Sequence, residues 1–208
     1  MISRNNPPKV IAFDAFGTLM QIGQSRSPYL KLMKWLKDNG RKPKSNDASV
    51  IMSNYVDFAE LAQIFGRRIP EDLLQELHED LEFELQTTKI YKDVIPTLME
   101  LKRLGFKLAL CSNLAKPYGE ALSSLLPYFD VSILSYEVGE IKPNTQIYNI
   151  LIERLGCQMS DVLFIGDHPH LDVEKPLELG MSAKLIDRKN HQKLQDVLCS
   201  ILNLNQLN

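Results

Sequence analysis

Five short apolar runs, at residues 9–13, 107–111, 131–135, 162–165 and 183–186, constrain this chain more than any other feature. Most do not alternate between apolar and polar residues. Unalternating runs point to strands covered on both faces, as in a parallel sheet. From about residue 90 onward, helical patterns separate them. Val94, Leu98, Leu101 and Leu104 repeat at helical spacing up to Gly105, and Ile147, Ile150, Leu151 and Leu155 run up to Gly156. Ala121, Leu122, Leu125 and Leu126 follow Pro117. A glycine just past the last periodic residue is a common helix terminator. Strands and helices in alternation predict an α/β fold, a parallel sheet with helices on both faces.

Residues 20–89 break this alternation. Ser27 and Pro28 fit the N-cap and first turn of a helix whose apolar face is Tyr29, Leu32, Met33, Trp35 and Leu36. A second face is Ile51, Tyr55, Phe58, Ala62 and Phe65, ended by Gly66; a third, after Pro70, is Leu73, Leu74, Leu77, Leu81 and Leu85. Three helices and no strand predict a small all-helical cap over 20–89, with a core built from 1–19 and 90–208. The polar stretch 40–46 is then a loop of the cap. Trp35 and its aromatic neighbours belong to the cap's own core, because helical periodicity already accounts for them.

Composition excludes several partners. A formal net charge of -2 leaves no basic footprint for nucleic acid. No apolar run approaches the roughly 20 residues that span a bilayer, and the first residues lack the apolar stretch of a secretory signal. Cys111, Cys157 and Cys199 lie too far apart for a zinc spacing or a disulfide framework. Reduced thiols in a cytoplasmic protein are expected. The sequence sets no oligomeric state.

Polar residues close four of the predicted strand units. Asp14 ends the first run, and Gly17-Thr18 turn the chain. Ser112-Asn113 end the second, Lys142-Pro143 follow the third and its loop, and Gly166-Asp167 with Asp172 follow the fourth. Each alone has a plain structural explanation as a cap, a turn or a solvated lysine. Together they fall at carboxyl ends of strands, where open α/β sheets gather their ligands. The set is chemically coherent. A carboxylate can act as a nucleophile, a serine hydroxyl can hold an oxyanion, and a lysine can screen the nucleophile and stabilise developing charge. Paired aspartates with a carbonyl oxygen offer the hard ligands that Mg²⁺ prefers.

These motifs resemble those of the haloacid dehalogenase-like hydrolase superfamily, in order: Asp14-x-x-Gly17-Thr18, Ser112, Lys142-Pro143, and Gly166-Asp167-x4-Asp172. The resemblance covers nearly the whole chain and implies a Rossmann-like core with a helical cap after the first motif. It implies Asp14 as nucleophile, with Thr18, Ser112, Asn113 and Lys142 around the transferred group. Mg²⁺ would be held by Asp14, the Phe16 carbonyl and Asp167, supported by Asp172. The implied substrate is a small phosphorylated metabolite, hydrolysed through an aspartyl-phosphate.

One departure matters. Phosphatases of this superfamily carry a second aspartate two residues after the nucleophile, as general acid and base; here that position is Phe16. An aromatic residue there resembles the metal-independent 2-haloacid dehalogenases, which use a cap arginine; Arg26 and Arg41 are candidates. The two alternatives to a phosphohydrolase are therefore a dehalogenase-like hydrolase and a weakly active or inactive, anion-binding regulatory protein. Asp167 favours the phosphohydrolase, because facing carboxylates repel unless a cation joins them. His168 and His170, inside the fourth motif, are read as exposed loop residues, the alternative being that His168 joins the metal site or donates the missing proton.

Overall fold

Strand β1 (Val10–Phe13) is fully buried and is the centre of the molecule. The computed structural model of the chain describes residues 8–202. After β1 come β2 (Met20–Gln21), β3 (Lys89–Ile90), β4 (Lys107–Ser112), β5 (Val131–Leu134), β6 (Val162–Gly166) and β7 (Ser182–Leu185). Five of these form one sheet in the order β5-β4-β1-β6-β7, parallel throughout. The chain order reverses at β1, which pairs with β4 on one side and β6 on the other. That reversal opens a crevice at the carboxyl end of β1.

Neighbouring residues of β1 point to opposite faces of the sheet. Ile11 and Phe13 join one hydrophobic cluster with Leu98, Leu101 and Leu198. Val10 and Ala12 join another with Ile147, Tyr148 and Leu151. Both faces are dry, which is why the apolar runs do not alternate.

The helices are α1 (Pro28–Asp38), α2 (Asp47–Met52), α3 (Phe58–Ile64), α4 (Glu71–Thr87), α5 (Val94–Arg103), α6 (Lys116–Glu120), α7 (Ser135–Val138), α8 (Thr145–Leu155), α9 (Lys175–Glu178) and α10 (Leu194–Leu202). Helices α1 to α4 form the insert and enclose a separate cluster around Leu32, Leu36, Phe58, Leu61 and Leu77. Among the described residues no helix is long and apolar enough to cross a membrane.

Four expectations are corrected. The insert is not strand-free: β2 and β3 pair antiparallel where the chain leaves and re-enters the core. Two residues each are too few for a periodic signal. The second amphipathic face is two helices, not one. Asp57 starts α3 with a capping box, accepting from the Glu60 N–H at 2.8 Å while Glu60 accepts from the Asp57 N–H at 2.9 Å. Tyr55 falls in the break and is 62% exposed. The pattern around Leu122 and Leu125 stays buried, but helix α6 ends at Glu120 and tighter turns follow. Finally, Ser135 begins α7 instead of ending β5; its hydroxyl accepts from the Leu114 N–H at 2.9 Å.

Candidate active site

The crevice at the end of β1 gathers residues from four strand ends. Asp14 follows β1, and its N–H donates to the Ile165 carbonyl at 3.0 Å, so the β1–β6 ladder itself sets its place. Ser112, the last residue of β4, donates from Oγ to Asp14 Oδ1 at 3.0 Å. Lys142 Nζ reaches the same oxygen at 2.8 Å and Asp172 Oδ1 at 2.6 Å. Its ammonium also lies 5.2 Å from the centre of the Phe164 ring. Lys142 is 2% exposed, so this is a buried ion triad and not the solvated lysine of the plain reading.

Carboxylate oxygens of Asp14, Asp167 and Asp172 lie within 4.8 Å of one another. Their environments differ. Burial pushes the Asp14 carboxyl up to about 6; Lys142 opposes this, while Asp172 and Asp167 add to it. Asp167 is raised too, by burial and by Asp172. Burial would discharge Lys142, but Asp14 and Asp172 outweigh it and hold the ammonium charged. Burial also pushes the neighbouring Cys111 thiol up to about 12, which leaves it inert.

Two glycines permit this crowding. Gly17 has φ +84°, and a Cβ there would sit 2.3 Å from Asp167 Oδ2. A Cβ at Gly166 would lie 2.3 Å from Asp172. The glycines of the first and fourth motifs thus make room for the carboxylates of the fourth.

The donor set divides in two. Asp172 is spoken for, with one oxygen on Lys142 and the other accepting from the His168 N–H at 3.0 Å. Asp14 Oδ2 accepts no hydrogen bond among the described residues, and Asp167 is exposed to the crevice. An uncommitted oxygen on each of two aspartates, beside a third carboxylate, fits a hard divalent cation. Phe16 lies half-buried with its ring edge-on to Tyr118, centroids 5.8 Å apart.

Two candidates take up other positions. Thr18 is fully buried, its carbonyl accepting from Arg188 Nε at 2.9 Å and its Oγ1 without a partner among the described residues. Asn113 is committed to the backbone of Lys142, donating to its carbonyl at 2.8 Å and accepting from its N–H at 2.7 Å. Its side chain thereby places Lys142. His168 and His170 are exposed, as expected. Arg26 and Arg41 are engaged within the insert, stacked on Phe83 and Phe65 and paired with Asp80 and Asp47.

Two supports left little trace in the sequence. The fully buried Tyr148 donates from its hydroxyl to the Leu171 carbonyl and so braces the turn that carries Asp172. Nothing in the sequence marked the partner of its hydroxyl. Arg188 joins the carbonyl of Thr18 to Asp93, which it holds at 2.9 and 3.0 Å. No pattern links those three residues.

The parallel sheet thus brings a buried carboxylate, a hydroxyl, a charged lysine and two more carboxylates to one crevice. The sequence pattern of the haloacid dehalogenase-like hydrolases matches residues 8–174, and the chain belongs to that family of enzymes. It is 36% identical over 110 residues to the glyceraldehyde 3-phosphate phosphatase of Methanopyrus kandleri, spanning 51% of this chain and 47% of that protein. The chain thus spans about half the length of this curated relative. Phosphoglycolate phosphatase of Aquifex aeolicus is 29% identical over 184 residues, 85% of this chain and 84% of that one. A solved phosphatase of the same superfamily from Thermococcus onnurineus superposes with a TM-score of 0.60 at 27% identity, covering 91% and 97% of the two chains.

Proposed function

We propose that the chain is a Mg²⁺-dependent phosphohydrolase acting on a small phosphorylated metabolite through an aspartyl-phosphate on Asp14. The observation that carries this reading is the cluster of Asp14, Asp167 and Asp172 with Lys142 Nζ between two of them. The two curated relatives named above are phosphatases, which agrees with it. Asp14 attacks phosphorus with one carboxylate oxygen as the bond to the leaving group breaks, and water then hydrolyses the aspartyl-phosphate. Ser112 and Lys142 orient the carboxylate, and Lys142 offsets the negative charge of an approaching phosphate. Asp14 Oδ2, Asp167 and the Phe16 carbonyl would hold the metal, and Asp172 supports them through Lys142 and the His168 N–H. Bound there, Mg²⁺ supplies the charge neutralisation that lets two anions approach each other. The helical insert of residues 20–89, between β1 and the rest of the core, serves as the cap that closes over the leaving group.

Phe16 shapes the expected chemistry. A positioned acid typically contributes roughly 10²–10⁴-fold when a basic leaving group departs, and phenylalanine cannot supply a proton. Acyl and aryl phosphates, which expel weak bases, are therefore preferred over alkyl phosphates. Phe16 also favours a second reading, a dehalogenase-like hydrolase, but such an enzyme has no use for three facing carboxylates. The test is a panel of phosphorylated metabolites, aryl phosphates and 2-haloacids, assayed with Mg²⁺ and with EDTA. Phosphate release that vanishes with EDTA is expected. Metal-independent halide release would overturn the reading, and anion binding without turnover would replace it with a regulatory role.

A further inference from the structure

The hydrophobic cluster beneath β1 and the one inside the insert meet at one side chain. Among the described residues, Tyr118 alone packs against both. It sits on α6 of the core, with its ring edge-on to Phe16 at an interplanar angle of 83°. On the insert side the ring lies 6.1 Å from that of Tyr29, and its hydroxyl donates to Glu84 Oε2 on α4. The other oxygen of Glu84 accepts from Ser25 Oγ at 2.7 Å, the Arg26 N–H at 2.5 Å and the Ser27 N–H at 2.7 Å. Those three residues are the linker between β2 and α1. A single carboxylate, 1% exposed, therefore fastens α4 both to the linker and to the core. Ser27 pays for this attachment with φ 54°, since its N–H faces Glu84 and its side chain makes no capping bond to α1.

We propose that Tyr118 is a positioning residue that latches the insert to the core through Glu84 and holds its own ring over Phe16. A second seam exists, where Ser135 Oγ donates to the Met52 carbonyl at 2.6 Å and the exposed Tyr55 ring meets Tyr136 and Lys116. That seam pairs one neutral hydrogen bond with contacts to the exposed Tyr55 ring, and none of these contacts reaches Phe16. The Tyr118–Glu84 bond is the buried contact to a charged group, and it is the one that touches the residue standing where the family's acid would be. Breaking a hydrogen bond to a charged group shifts an opening equilibrium by roughly ten- to hundredfold. The inference rests on the reading of residues 20–89 as a cap, but its test needs no turnover.

The test is Tyr118→Phe in the full chain, which keeps the ring on Phe16 and removes only the hydroxyl, followed by hydrogen exchange without substrate. Amides of the linkers, residues 22–27 and 87–91, should exchange about tenfold faster or more, while those of β1 and β4 stay as slow as before. Glu84→Gln should act in the same direction. Linker exchange equal to that of the wild type would overturn the latch. So would exchange that quickens equally in β1 and β4, which would make Tyr118 a packing residue alone. Locally faster exchange in a protein with no phosphate turnover leaves the latch standing and removes the phosphohydrolase reading. Turnover with unchanged linker exchange removes only the latch.

Discussion

Asp14 in the core and Glu84 in the insert are both buried carboxylates, at 8% and 1% exposure, yet their acidities move in opposite directions. Burial raises Asp14 to about 6, because the help of Lys142 is diluted by Asp172 and Asp167. Burial opposes ionisation of Glu84 too, but Tyr118, Ser25 and the N–H groups of Ser27 and Arg26 outweigh it and hold the carboxyl below its usual range. The difference lies in the company each keeps. Four neutral donors stabilise a charge without introducing a competing one. One cation shared among three anions leaves each of them short. The first arrangement suits a fastening, and the second agrees with the proposed site for a cation and an anionic substrate.

Removing the function-bearing oxygen gives the largest effect. Asp14→Asn should lower phosphate release by about 10³-fold or more, with the circular dichroism spectrum unchanged, since an amide is a poor nucleophile and a poorer metal ligand. Near-normal turnover would show that Asp14 is no nucleophile. Lys142→Met breaks the same side of the comparison through stability. It leaves two buried carboxylates without their cation, and one-sided removal of a buried ion pair destabilises by about 3–5 kcal/mol. The exposed Lys102–Asp130 pair is the control. Lys102→Ala should cost less than about 1 kcal/mol, and urea titration of both variants reads the contrast.

The acidity difference is itself measurable. With EDTA present, the folded chain holds the Asp14 proton up to about 6, above the ordinary value of 3.8. The folded state therefore binds more protons than the unfolded state in that window, and stability falls as pH rises from about 4 to about 6. Asp14→Asn removes this slope, so the variant should gain on the wild type by about 2 kcal/mol between pH 4 and pH 7. A constant gap across that range would contradict the raised acidity. Glu84 has the opposite sign: its stabilisation is present above its ordinary range and is lost as pH falls through its depressed value. Glu84→Gln should therefore destabilise at pH 7 by about 1–3 kcal/mol and lose most of that penalty in acid. Thermal melts at the two pH values would show it, and a penalty independent of pH would assign Glu84 a packing role only.

Much of the core was legible in the sequence. The five sheet strands fall within a residue or two of the unalternating runs, because burial on both faces of a parallel sheet demands continuous apolar residues. Three of the four motifs were legible because they lie at the ends of their own strands, while Lys142 stands beyond α7, past the end of β5. The helices of the insert were clear where an apolar stripe ran long, as in α4, and blurred where Asp57 restarted the chain as α3 after a short α2. The β2–β3 ribbon left no signal, since two residues hold no period.

What the sequence by itself determined is the local set: which runs become strands, where each strand ends, and that Asp14, Ser112, Lys142, Asp167 and Asp172 stand at or near those ends. Periodicity and turn chemistry are properties of neighbouring residues, so they can be read in line. Only the tertiary structure decided how those residues are shared out. It gave Asn113 to the backbone of Lys142, buried Thr18 beneath Arg188, engaged both oxygens of Asp172, and left one oxygen of Asp14 free. It also joined Tyr118 to Glu84 across 34 residues of chain. Each of these depends on distances between groups remote in sequence, and hydrogen bonds and Coulomb forces act on those distances regardless of chain order.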